Sequence, residues 1–200
     1  MRHKEKVIEF LNNNHGYITT AEFLTLGISK PLIQKFLYEG LIERVSYGLY
    51  MDNKRLKDDY FILQKKYPLA IFSYQTALYI LNLTNRTPIQ LDITVPRDKK
   101  VRGTYKVHRV SENYYKIGII EVESPNGYPI RIYDVERCIC DLLRTESKFD
   151  LELQNQVLDY YFHSKDKNLE KLLEYAEIFN IYEKVNTLVE GMVKGKKVRD

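Results

Sequence analysis

The residues of this 200-residue chain best suited to chemistry are cations and aromatics, arranged for contact with a polyanion more than for catalysis. Lys30, Gln34, Lys35 and Tyr38 recur at helical spacing, opposite an apolar set of Leu32, Ile33, Phe36 and Leu37. Two ammonium groups, a planar amide and a phenol on one helix face can contact phosphates and base edges in a major groove, and Gln can pair adenine bidentately. Arg44 and Tyr47 follow in a segment that alternates as a small hairpin around Ser46-Tyr47-Gly48, where they are expected to touch the flanking backbone. Thr19, Thr20 and Ser29 complete the residues expected to contact DNA.

A second group is defined by charge. Residues 61–110 carry nine Lys and Arg against two acidic residues, within a chain of net charge +4. Lys65, Lys66, Arg86, Arg97, Lys99, Lys100, Arg102, Lys106 and Arg109 form a candidate surface for a nucleic acid or an acidic protein, the alternative being a solvated loop. Lys194, Lys196, Lys197 and Arg199 give a short basic tail, read as frayed. Enzyme chemistry finds little support. His3, His15, His108 and His163 show no ligand spacing with each other or with Cys138 and Cys140, so no metal and no cofactor is expected. A Mg²⁺-dependent nuclease would have to use Asp92, Glu121 or Glu123, without the following Lys such sites use, so the chain is read as a non-enzyme.

Several elements must position these residues. Val7, Ile8, Phe10 and Leu11 mark a first helix over Glu5 to Asn13. Thr19-Thr20-Ala21-Glu22 is a capping box opening a second helix, which carries Ala21, Phe23, Leu24 and Leu26 to Gly27. About two residues later, with Ser29 as N-cap and Pro31 in the first turn, a third helix runs to Glu39. Helix, tight turn, helix and hairpin is the pattern of a winged helix-turn-helix, placed at 1–57 with Asp52 to Lys57 as the junction.

Residues 58–200 read as a mixed α/β domain. Helices are expected over Asp58 to Tyr67 and Tyr74 to Leu81. Ile89 to Val95 alternates as a half-buried strand ended by Pro96. Further strands are expected over Tyr105 to Val110, Ile117 to Val122 and Tyr128 to Tyr133. Helices near 134–145, 150–163, 168–179 and 181–193 then make a C-terminal bundle, with Asp134 as an N-cap and Arg137 and Asp141 as an i,i+4 pair. The fold class is α+β. With two closely spaced cysteines, a charged N-terminus and no apolar run long enough for a membrane span, the expectation is a cytoplasmic protein without membrane contact. No heptad seam is present, so a monomer is expected.

Four segments carry a family resemblance: Gly16 to Glu22, Gly40 to Tyr50, Phe72 to Leu78 and Arg131 to Leu143. In this order, and spanning nearly the whole chain, they resemble the AbiEi family of antitoxins from type IV toxin–antitoxin systems, which also act in abortive phage defence. The resemblance implies a winged domain that binds inverted repeats in its own promoter and represses the operon. It also implies a C-terminal domain that counters a nucleotidyltransferase toxin without a stable complex. The basic 61–110 segment, singled out by its charge and not by the resemblance, is a candidate to extend DNA contact or serve the antitoxin role. A winged-helix transcription factor whose C-terminal domain senses a ligand is the alternative.

Overall fold

Residues 2–145 and 150–196 are described in the computed structural model, so Lys197 and Arg199 of the basic tail lie outside the described residues. The chain starts with α1 (Arg2–Asn13), whose Val7 and Leu11 face a core. It continues through β1 (Tyr17–Thr19), α2 (Thr20–Thr25), α3 (Lys30–Tyr38), β2 (Ile42–Ser46), β3 (Leu49–Asp52) and α4 (Asp59–Lys66). These elements form one compact unit, Met1–Lys66, which also includes Glu123–Tyr128.

In this unit α2 begins at the expected capping box: the Glu22 amide donates to Thr19 Oγ1 at 3.2 Å and the Thr19 amide donates to Glu22 Oε2 at 2.6 Å. The helix is shorter than the sequence suggests, and Leu24 is left 52% exposed, so Phe23 is its buried residue. The connection to α3 is Leu26–Ser29, with Ile28 fully buried in the core beside Ile33 and Phe36. Ser29 stands at the N-cap position but makes no side-chain capping bond. A three-stranded antiparallel sheet in the order β1-β3-β2 closes the unit. Strand β1 was not anticipated, because three residues carry too little periodicity to register and Thr19 also serves as the cap of α2. The unit runs past the Asp52 to Lys57 junction because α4 belongs to it. Phe61 of α4 packs with Tyr17 and Tyr128 at centroid distances of 4.9 and 5.2 Å. The buried Asp58 carboxylate accepts from the Phe61 amide at 2.7 Å and from the Ser124 hydroxyl at 2.6 Å.

The second unit, Tyr67–Val122 with Pro129–Asp200, is built on a five-stranded sheet. Its elements are β4 (Ile71–Phe72), α5 (Tyr74–Ile80), β5 (Asp92–Pro96), β6 (Lys106–Val110), α6 (Glu112–Tyr115), β7 (Ile119–Glu123) and β8 (Pro129–Tyr133). Helices α7 (Val135–Arg144), α8 (Leu151–His163), α9 (Leu169–Ile178) and α10 (Tyr182–Lys196) follow. The strand order is β6-β5-β4-β8-β7, with β5 parallel to β6, β4 parallel to β8 and β4 antiparallel to β5. The expected strand from Ile89 is displaced: Ile89 is fully exposed, pairing starts at Asp92, and every residue of β5 is buried. A strand with neighbours on both sides and both faces covered loses the half-buried alternation that the sequence suggested. Two-residue β4 and four-residue α6 fall below the length at which a pattern is readable.

Helix α7 is where sheet and helices lock together. Asp134 caps it, accepting from the Arg137 amide at 2.8 Å. The Arg137 guanidinium is fully buried: Nε donates to Asp141 at 2.9 Å and Nη1 donates to the carbonyls of Tyr114 and Ile117 at 2.6 and 3.1 Å. The rings of Tyr133 and Phe179 lie 4.1 and 4.4 Å from it. Gly118 allows this approach, since a Cβ there would sit 2.7 Å from Arg137 Cβ and 2.9 Å from Asp134 Oδ1. Among the described residues no helix is long and apolar enough to cross a membrane.

Candidate functional site

In the first unit, α3 turns Ile33 and Phe36 inward and leaves Lys30, Gln34, Lys35 and Tyr38 exposed. The β2–β3 hairpin comes alongside. Gly48, at φ +73°, supplies the left-handed residue its tight turn requires, and the register shifts between Arg44 and Ser46. The result is a concavity of about 290 Å³ lined by Thr20, Lys30, Gln34, Arg44, Tyr47 and Tyr50 among others. No carboxylate lines it among the described residues. Arg44 is steadied by Tyr50, donating to its hydroxyl at 3.2 Å and lying 5.5 Å from its ring centroid. Tyr47 at the hairpin tip is 95% exposed and Tyr38 at the end of α3 is 94% exposed. Isolated exposed tyrosines of this kind keep both a ring face and a hydroxyl available to a partner.

The remaining expected contacts divide. The Thr19 hydroxyl is committed to the capping box, and the Thr20 hydroxyl lies 3.4 Å from the Gly48 carbonyl, so it joins α2 to the hairpin. Ser29 is exposed at the start of α3. Lys35 is within 3.8 Å of Glu39, an exposed i,i+4 pair of small energetic weight.

The basic 61–110 residues are not one set. Lys65 and Lys66 belong to α4 of the first unit, with Lys65 5.4 Å from the Phe61 ring centroid. The others belong to the second unit. There Arg86 donates to Asp150 and Glu152 at 2.7 and 2.6 Å, and Lys99 pairs with Asp98 at 2.7 Å. The Arg102 amide and carbonyl both bond the Tyr67 hydroxyl. Lys100 is exposed. Lys106 lines one cavity, and Arg97 and Arg109 line another.

A cluster the sequence reading missed sits between those cavities. His108 Nε2 is hydrogen-bonded to the buried Asp92 at 2.8 Å, and its ring stacks on Tyr74 at 3.8 Å. Tyr74 opens α5 at φ 49°, a rare conformation for a bulky residue. Burial raises its phenol pKa, the Asp141 charge adds to this, and Arg144 opposes it. The available signal was a lone acid in an apolar strand and a His on the strand beside it, but their sequence separation hides the pairing.

The carboxylates considered for a nuclease do not converge. Asp92 lies on β5 and Glu121 on β7, with β4 and β8 between them, roughly 14 Å across the sheet. Glu121 and Glu123 are exposed. Among the described residues no group of three His, Cys, Asp or Glu side chains could hold a metal. Burial pushes the Cys140 thiol up to about 12 and Cys138 well above its ordinary range, so both are packed thiols with no nucleophilic thiolate near neutral pH.

No protein-family model matches the chain, and no curated protein matches it. Among solved structures it is similar to the crystal structure of the RV2827C protein from Mycobacterium tuberculosis. The TM-score is 0.61 at 12% identity, over 96% of this chain and 78% of that one. The likeness is one of fold: a mixed α+β chain with a small sheet and C-terminal helices.

Proposed function

We propose that this protein is a bacterial transcriptional autorepressor and antitoxin. In this reading the first unit is a winged helix-turn-helix that binds inverted repeats in its own promoter, one monomer to each half-site. The second unit counteracts a nucleotidyltransferase toxin without forming a stable complex. The observation that carries the DNA half is the acid-free concavity between α3 and the hairpin, where Lys30, Gln34, Arg44 and Tyr47 come together. With α3 in a major groove, Gln34 reads a base edge and Lys30 and Lys35 hold phosphates. Arg44 and Tyr47 of the wing reach the adjacent backbone. The antitoxin half rests on the sequence resemblance through Phe72 to Leu78 and Arg131 to Leu143.

Fluorescence anisotropy with the protein's own upstream DNA and a scrambled duplex, across a salt series, tests this. The expected result is roughly 10³-fold or greater preference for the upstream DNA. The double change Lys30→Ala and Lys35→Ala should weaken binding to both duplexes and reduce the salt slope by about two. Equal affinity for the two duplexes would remove operator recognition from the reading. Unchanged binding by the variant would remove α3 as the reader.

A further inference from the structure

We infer that the second unit holds a binding site for a nucleoside polyphosphate, in the cavity at the β6 edge of its sheet. This cavity measures about 420 Å³, within the range of small-ligand sites and far too small for a duplex to enter. Three guanidiniums line it: Arg97 just after β5, Arg109 on β6 and Arg144 at the end of α7. The hydroxyl residues Ser111 and Thr145 line it as well, and so does the ring of Tyr114. No carboxylate lines it among the described residues.

Charge bookkeeping favours an anion with several negative charges. Arg144 donates to Asp141 at 2.8 Å, but the same carboxylate also accepts from the buried Arg137, so two guanidiniums share one acid and a net positive charge remains. Among the described residues Arg97 and Arg109 are in no ion pair, and both are exposed. Guanidiniums present paired N–H groups that match phosphate oxygens bidentately, which makes a phosphate chain a better counterpart than a single carboxylate. Arg144 is held in place by Asp141 and by the Phe179 ring 4.9 Å away, so part of the site is already ordered. Tyr114 is fixed against Phe179 at a centroid distance of 5.2 Å and gives the cavity an aromatic wall for a base. The stacked Tyr74–His108 pair also lines the cavity, with His108 held by Asp92. Neither these rings nor the cations draw on α3 or the hairpin, so the site stands independently of DNA recognition.

Isothermal titration calorimetry of the full chain at 150 mM salt, with ATP and with inorganic pyrophosphate as probes, tests the inference. ATP should bind more tightly than pyrophosphate. Arg97→Ala combined with Arg109→Ala should weaken ATP by about tenfold or more, as expected for the loss of charge-assisted hydrogen bonds. These side chains are exposed, so an unchanged thermal melt confirms an intact fold. Tyr114→Leu should weaken ATP and leave pyrophosphate unchanged, and Lys30→Ala with Lys35→Ala should leave both unchanged. Absence of ATP binding, or full binding by the double arginine variant, would overturn the site. Pyrophosphate binding as tightly as ATP would overturn its assignment to a nucleotide. Displacement of ATP by a short duplex, with the arginine variant losing duplex affinity, would overturn it in favour of a DNA-backbone surface.

Discussion

A guanidinium shut away from water survives only if its N–H groups and its charge are both answered, and Arg137 meets that requirement with Asp141, two backbone carbonyls and two aromatic faces. Removing it leaves Asp141 with Arg144 as its remaining guanidinium partner and leaves the Tyr114 and Ile117 carbonyls without this donor. Arg137→Ala should therefore lower the stability of the second unit by about 3 kcal/mol, chiefly through those two carbonyls, read from urea denaturation. The Arg137–Asp141 spacing was legible as a helical ion pair. Its burial was not, because the carbonyls that complete it lie twenty or more residues earlier, in α6 and just ahead of Gly118.

At the scale of elements, the hairpin beside α3 depends on one backbone conformation. Gly48 has room for a methyl group, its nearest neighbour being Thr20 Oγ1 at 3.5 Å, so Gly48→Ala isolates the strain of a left-handed residue. That strain should cost about 1–2 kcal/mol in a thermal melt. By moving Tyr47 and Arg44, it should also weaken duplex binding in anisotropy, and wild-type affinity would show that the hairpin makes no contact. Elements with a strong pattern or a cap were readable from sequence. The Thr19–Glu22 box, the Asp134 cap and the amphipathic face of α3 are each written in a few adjacent residues. What stayed hidden was decided elsewhere in the chain. Strands β1 and β4 exist because partners present edges to them, and β5 loses its alternation because it lies inside the sheet. The α3 half of the candidate interface was therefore visible, whereas the Asp92–His108–Tyr74 cluster was not, since it is assembled by strand register.

For the molecule as a whole, the division into units does not follow the order of the chain. The first unit needs Ser124, whose hydroxyl bonds Asp58, and Tyr128, whose ring packs on Tyr17 and Phe61 and whose hydroxyl donates to the Leu56 carbonyl at 2.9 Å. A fragment ending at Lys66 lacks both. It should be less stable than the same residues within the full chain, with faster amide hydrogen exchange at Phe61 and Asp58 as the readout. Equal protection would show that the late residues are dispensable. The same discontinuity has a consequence for the protein in the act of being made. On the ribosome, the residues expected to read DNA are synthesised first, but the last pieces of their own scaffold arrive only with residues 123–128. A truncated or stalled nascent chain would thus carry α3 without the full support of its unit, which is complete only once translation has passed residue 128.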